Sequence, residues 1–95
     1  MLQVYLDPCT VNSRKVLAGL DLLAMPFELK RIDYLAGGHK QPEFLAINPM
    51  GELPAAVDAD LSLAESNAIL QYAADFMGAD RHYPVLRYQY WHLPQ

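Results

Sequence analysis

The chain has 95 residues, 53% of them apolar, and 7 basic against 11 acidic side chains give a formal charge of −4. That length and composition suit one small domain with a real core, without room for a second. The acidic balance, with no basic stripe interleaved with aromatics, argues against nucleic acid and anionic membrane as partners, whereas a small anionic ligand needs only local positive charge.

The N-terminus, "MLQVYLDPCT", lacks the basic segment and apolar run of a signal peptide, and no apolar stretch reaches membrane-spanning length, so a cytoplasmic location is expected. Residues 2–6, "LQVYL", read as a buried strand broken by Asp7 and Pro8. Over residues 12–23 the pattern changes: Val16, Leu20 and Leu23 stand at i, i+4 and i+7, joined by Leu17, which predicts an amphipathic helix capped by Asn12 or Thr10. "FELKRID", residues 27–33, reads as a second strand, and strand–helix–strand order implies a parallel crossover. Gly37 and Gly38 predict a flexible loop, and Pro42 opens a short helix carrying Phe44, Leu45 and Ile47 to a stop before Pro49. "LPAAV", the turn "DAD" and "LSL" predict a hairpin. A last helix is expected over residues 65–76, with Ile69, Tyr72, Ala73 and Phe76 on one face. The tail "RHYPVLRYQYWHLPQ" is aromatic, with Tyr83, Tyr88, Tyr90 and Trp91 close together. A single cysteine, Cys9, excludes an internal disulfide or multi-Cys zinc site, and three scattered histidines lack metal-ligand spacing, so no metal is expected.

A βαβ unit followed by ββα, with Pro54 opening the third strand and Glu65-Ser66 opening the last helix, resembles the thioredoxin-like N-terminal domain of the glutathione transferases. The likeness runs over residues 4–76, and "NPMGELPAAVDADLSLAESNAILQYAADF" is its most specific element. It implies an α/β, thioredoxin-like βαβ-α-ββα fold with a mixed four-stranded sheet. The family's full-length members add a helical second domain that does not follow here; residues 1–77 are expected to form the glutathione-binding domain and 78–95 a short tail. The apolar face that the helical domain would cover then needs another cover, either the aromatic tail or self-association into a homodimer.

The resemblance implies glutathione as co-substrate and assigns its contacts. A cis Pro54 would turn the Leu53 main chain outward to pair with the ligand's cysteinyl backbone, as an added strand would. At the start of the last helix, Ser66 would donate to the γ-glutamyl carboxylate, and Glu65 would take the α-ammonium or hold the turn. His39, in preference to Lys40, would reach the glycyl carboxylate. At the sulfur, an unperturbed thiol with a pKa near ~8.5 is only slightly ionised at neutral pH and needs a donor to stabilise its thiolate. Thr10 falls in register with the serine of theta- and delta-like members, and "TVNSRKV" is similar to the Thr-x-Asn element of bacterial nu-class members, which adds Asn12. Counted from the strand side, Cys9 instead approaches the cysteine that beta- and omega-class members use to form a mixed disulfide with glutathione. The implied function is a glutathione-binding, transferase-like domain with weak conjugating or disulfide-reductase chemistry. A non-catalytic dimerisation or interaction module, and a glutaredoxin-like thiol oxidoreductase working through Cys9, are the alternatives.

Overall fold

Alternation along β1 (Leu2–Leu6) builds the centre of the protein, because Leu2, Val4 and Leu6 are buried on one face while Tyr5 turns to the other. The computed structural model describes residues 1–78, so the expected aromatic tail lies outside the described residues. From β1 the chain enters α1 (Val11–Leu22) and returns as β2 (Phe27–Arg31), parallel to β1 with Leu2 opposite Phe27 and Leu6 opposite Arg31. A 3₁₀ turn (Gly38–Lys40) and the short α2 (Pro42–Leu45) follow. β3 (Ala55–Asp58) is antiparallel to β1 and to β4 (Leu61–Leu63), and α3 (Ser66–Met77) closes the unit. The sheet order is β2-β1-β3-β4, a mixed four-stranded sheet.

Each face of the sheet carries its own apolar cluster. On the α1 and α3 face, Leu2, Val4 and Leu6 pack with Val16, Leu20, Ile69 and Ala73. On the other face, Phe44, Leu53 and Ala55 are buried with Tyr5, Ile32 and Ile47 packed against them. The two long helices approach closely at Gly19, where an added Cβ would stand 2.3 Å from Leu70 Cδ2. At the far end of the hairpin the Tyr72 hydroxyl donates to the Asp58 carboxylate, tying α3 to the β3–β4 turn and raising the phenol's pKa.

Element boundaries differ from the sequence expectation for local reasons. Helix α1 starts at Val11 with Thr10 as its cap, which leaves Asn12 inside the first turn. Strand β2 stops at Arg31 instead of residue 33; after one more bond, Ile32 N–H to Leu6 O at 3.0 Å, Asp33 accepts from Ala36 N–H and Gly38 N–H and starts a turn. Part of the loop expected around Gly38 is the 3₁₀ turn, and β3 starts only after Pro54, which has no N–H for a ladder.

Leu20 is fully buried between the helices and the sheet. Leu20→Ala should therefore cost about 2–5 kcal/mol, the range for a large-to-small change in a packed core. Urea unfolding checks this, with a lower midpoint and an unchanged slope as the expected outcome.

Candidate functional site

Where β1 ends, Asp7 takes over the organisation of the chain. Its carboxylate, almost wholly buried, accepts the Cys9 N–H at 3.1 Å on Oδ1, an Asx-turn, and the Tyr34 N–H at 2.9 Å on Oδ2. The Arg31 guanidinium stands 3.8 Å from Oδ1. The Tyr34 N–H first, then the Cys9 N–H and, more weakly, Arg31 hold the Asp7 carboxyl below its ordinary range, outweighing the cost of its desolvation. The Asp7 carbonyl accepts the Thr10 N–H at 3.0 Å.

Thr10 then caps α1 in the usual way, with extended main-chain angles (φ −95°, ψ 145°) and its Oγ1 accepting the Ser13 N–H at 3.2 Å. Beside it opens a cleft of about 380 Å³ that Thr10, Asn12, His39, Lys40 and Leu53 line together. Tyr34 lines the cleft as well, and the His39 ring stacks on it with centroids 4.4 Å apart and planes 21° from parallel. His39 Nδ1 is buried and has no hydrogen-bond partner among the described residues.

The segment before β3 adds Gly51, Glu52 and Leu53 to the lining of the cleft. Asn48 is buried; its Nδ2 donates to Glu52 O at 2.9 Å and its Oδ1 accepts the Met50 N–H at 3.1 Å. Gly51 has φ +64°, and a Cβ there would stand 3.0 Å from Lys40 Nζ and 3.2 Å from His39 O, so only glycine fits without displacing that wall. The Leu53–Pro54 peptide is cis, and the N–H and C=O of Leu53 pair with no described residue.

Two groups of expected residues lie outside this cleft's lining. Glu65 is the exposed N-cap of α3 and makes no side-chain capping bond, while Ser66 is buried and its hydroxyl is bonded to no other described residue. The Lys15 ammonium donates to Asn67 Oδ1, which brings a positive charge from α1 to the first turn of α3. Cys9 is exposed, and its thiol is pushed up first by loss of hydration and then by the adjacent Asp7 carboxylate. Reading the sequence missed Asp7, Ser13 and Tyr34. An Asp closing a strand ahead of Pro is a turn signal that points to Asp7; no pattern marked Tyr34, which contributes its main chain and one ring face.

Residues 2–75 match the family described as "Glutathione S-transferase, N-terminal domain". The chain belongs to that family. Glutathione S-transferase 3 of Zea mays is 44% identical over 77% of this chain and 33% of its own length. Glutathione S-transferase theta-2 of Homo sapiens is 37% identical over 96% of this chain and 41% of its own length. Among solved structures, human theta-2 in complex with glutathione superposes with a TM-score of 0.82 at 38% identity, over 86% of this chain and 34% of that one. Glutathione transferase F7 of Populus trichocarpa gives 0.75 at 43% identity, over 81% and 36%. The chain thus spans roughly a third to two fifths of the length of these glutathione transferases.

In this glutathione transferase domain the site loop should carry an acid-sensitive part of the stability. The Asp7 pKa is lowered on folding, so its contribution is fully present above the ordinary carboxylate value and is lost as pH falls through the folded value. Asp7→Asn should be less stable than the parent protein at neutral pH, and the gap should close below about pH 4 as the parent's carboxylate protonates. Thermal melts of both proteins across that range measure it; a gap independent of pH would contradict the carboxylate's assigned role.

Proposed function

We propose that the domain binds glutathione in an extended conformation from the His39–Lys40 wall, past Leu53, to the start of α3, and stabilises its thiolate through Thr10. The observation that carries this reading is the Leu53 main chain. Its N–H and C=O pair with no described residue, beside a cleft lined by the Lys40 ammonium and the His39 ring. A cysteinyl residue with its own N–H and C=O satisfies both. Its glycyl carboxylate then falls toward His39 and Lys40, and its γ-glutamyl carboxylate toward the Ser66 hydroxyl and the free N–H groups of α3, aided by the helix dipole and by Lys15. Human theta-2 and a Sulfitobacter homologue, the latter 34% identical with a TM-score of 0.75, have been solved with glutathione.

At the sulfur, Thr10 is favoured over Cys9 because it lines the cleft, whereas Cys9 does not and carries a thiol shifted away from ionisation. With its thiolate stabilised, glutathione can attack an electrophile or a disulfide, so weak conjugation or disulfide reduction is the proposed chemistry. Val11, Leu22 and Phe76 are exposed apolar residues on the two long helices and support an association surface there, including self-association. No helix among the described residues is long and apolar enough to cross a membrane.

A glutathione titration followed by chemical-shift changes tests the site, with the amides of Leu53, Ser66 and His39 expected to move. Ser66→Ala should weaken binding by about 1.5–3 kcal/mol, the worth of a hydrogen bond to a charged group. Unchanged affinity would reject the placement of the γ-glutamyl group. Separately, Thr10→Ala should raise the thiol pKa of bound glutathione while Cys9→Ser leaves it in place, read from thiolate absorbance. The opposite dependence, with a Cys9–glutathione adduct visible by mass after exposure to oxidised glutathione, would favour the glutaredoxin-like chemistry.

A further inference from the structure

Ser13 lies in the first turn of α1, is fully buried, and its Oγ stands 2.6 Å from Thr10 Oγ1. The two hydroxyls share one contact and hold two hydrogens, so the direction of donation follows from counting partners. The geometry of the contact fits Thr10 Oγ1 donating to Ser13 Oγ, but Ser13 Oγ already accepts the Asp7 N–H at 3.3 Å, and no described residue besides Asp7 and Thr10 bonds the Ser13 hydroxyl. If Thr10 donated to Ser13, the Ser13 hydrogen would be buried and unpaired, a loss of about 1–3 kcal/mol. If Ser13 donates, both are satisfied. Thr10 Oγ1 then accepts from the Ser13 N–H and from the Ser13 hydroxyl, and its own hydrogen turns to the Asp7 carbonyl, a long 3.3 Å contact, or into the cleft.

We infer that Ser13 is a positioning residue whose buried hydroxyl donates to Thr10 and so directs the Thr10 hydrogen into the cleft, toward an anionic sulfur. The chain of donors runs from the Asp7 N–H to Ser13, from Ser13 to Thr10, and from Thr10 to the thiolate. A hydroxyl that already accepts two hydrogen bonds is a stronger donor, because each bond in a series polarises the next. No proton leaves any residue; the hydroxyls only hold an orientation. The inference rests on the glutathione reading above and adds to it the residue that orients the donor.

The test compares Ser13→Ala with the parent, reading the thiol pKa of bound glutathione and, in parallel, the affinity for S-methylglutathione, which has no thiol to ionise. The expected result is a rise of about one unit, a roughly tenfold loss of thiolate at fixed pH below the pKa, with S-methylglutathione affinity kept within about twofold. In a Thr10→Ala background the same substitution should add nothing. Should Ser13→Ala fold poorly, Ser13→Thr and Ser13→Val introduce the same bulk at this position and differ only in the hydroxyl. Threonine should then keep the parent pKa and valine should raise it. A thiol pKa unmoved by Ser13→Ala, equal values in the Thr and Val variants, or an undiminished effect without Thr10 would each overturn the inference. Failure of the parent to bind S-methylglutathione would overturn the functional reading itself, and the role of Ser13 with it.

Discussion

The Asp7 carboxylate is the constraint on which the cleft depends. One oxygen holds the loop that leads into α1, and the other holds the main chain at Tyr34, 27 residues further on. Both loops line the cleft, one through Thr10 and the other through Tyr34, whose ring stacks on His39. A buried carboxylate is tolerated here because main-chain donors and a guanidinium offset its desolvation. Its value to the fold is geometric, since it carries the coupling of the β1–β2 ladder, which ends with Ile32 N–H to Leu6 O, into the two loops beyond it.

The sheet supplies the second condition. Because β1 alternates its side chains, the same five residues support the α1–α3 layer through Leu2, Val4 and Leu6 and the α2 layer through Tyr5, whose ring lies 6.2 Å from that of Phe44. The cleft opens at the end of β1, where segments from both layers meet. Segments reaching it from opposite faces of one sheet cannot move independently without disturbing a packed cluster. Gly51 extends this logic to the main chain, for its φ is +64° and an added Cβ would press on Lys40 Nζ at 3.0 Å and His39 O at 3.2 Å, so the His39–Lys40 segment would have to give way.

Most of the fold was legible in the sequence because its signals are local. Period-two alternation marked β1, the spacing of Val16, Leu20 and Leu23 marked α1, and Pro42 marked the start of α2. Boundaries moved where a side chain competes with the main chain for hydrogen bonds, as Asp33 does after β2 and Thr10 does before α1. His39 and Lys40, expected from the resemblance, do line the cleft. Tyr34 could not be foreseen, because a main-chain N–H is the same in every residue except proline and its distant acceptor leaves no trace in the sequence around it. Ser13 was hidden differently: a buried serine in a helix pattern reads as a neutral filler until its single available acceptor is known.

The contest between Cys9 and Thr10 shows how one residue of register separates two chemistries. An N-cap residue keeps extended main-chain angles while its side-chain oxygen folds over the first turn, so its hydroxyl stays at the open end of the helix. Here that end borders the cleft, and Thr10 cannot cap α1 without also lining it. Cys9, one residue earlier, has its N–H bound by the Asp7 side chain and its sulfur near a carboxylate, where a second negative charge is disfavoured. A cysteine nucleophile needs the opposite surroundings, with nearby cations or helix N–H groups to draw the pKa down. The Asp7 carboxylate that positions the loop therefore also opposes ionisation of the neighbouring thiol. Loss of hydration adds to the same effect at Cys9, whereas the neutral hydroxyl of Thr10 places no charge beside the Asp7 carboxylate.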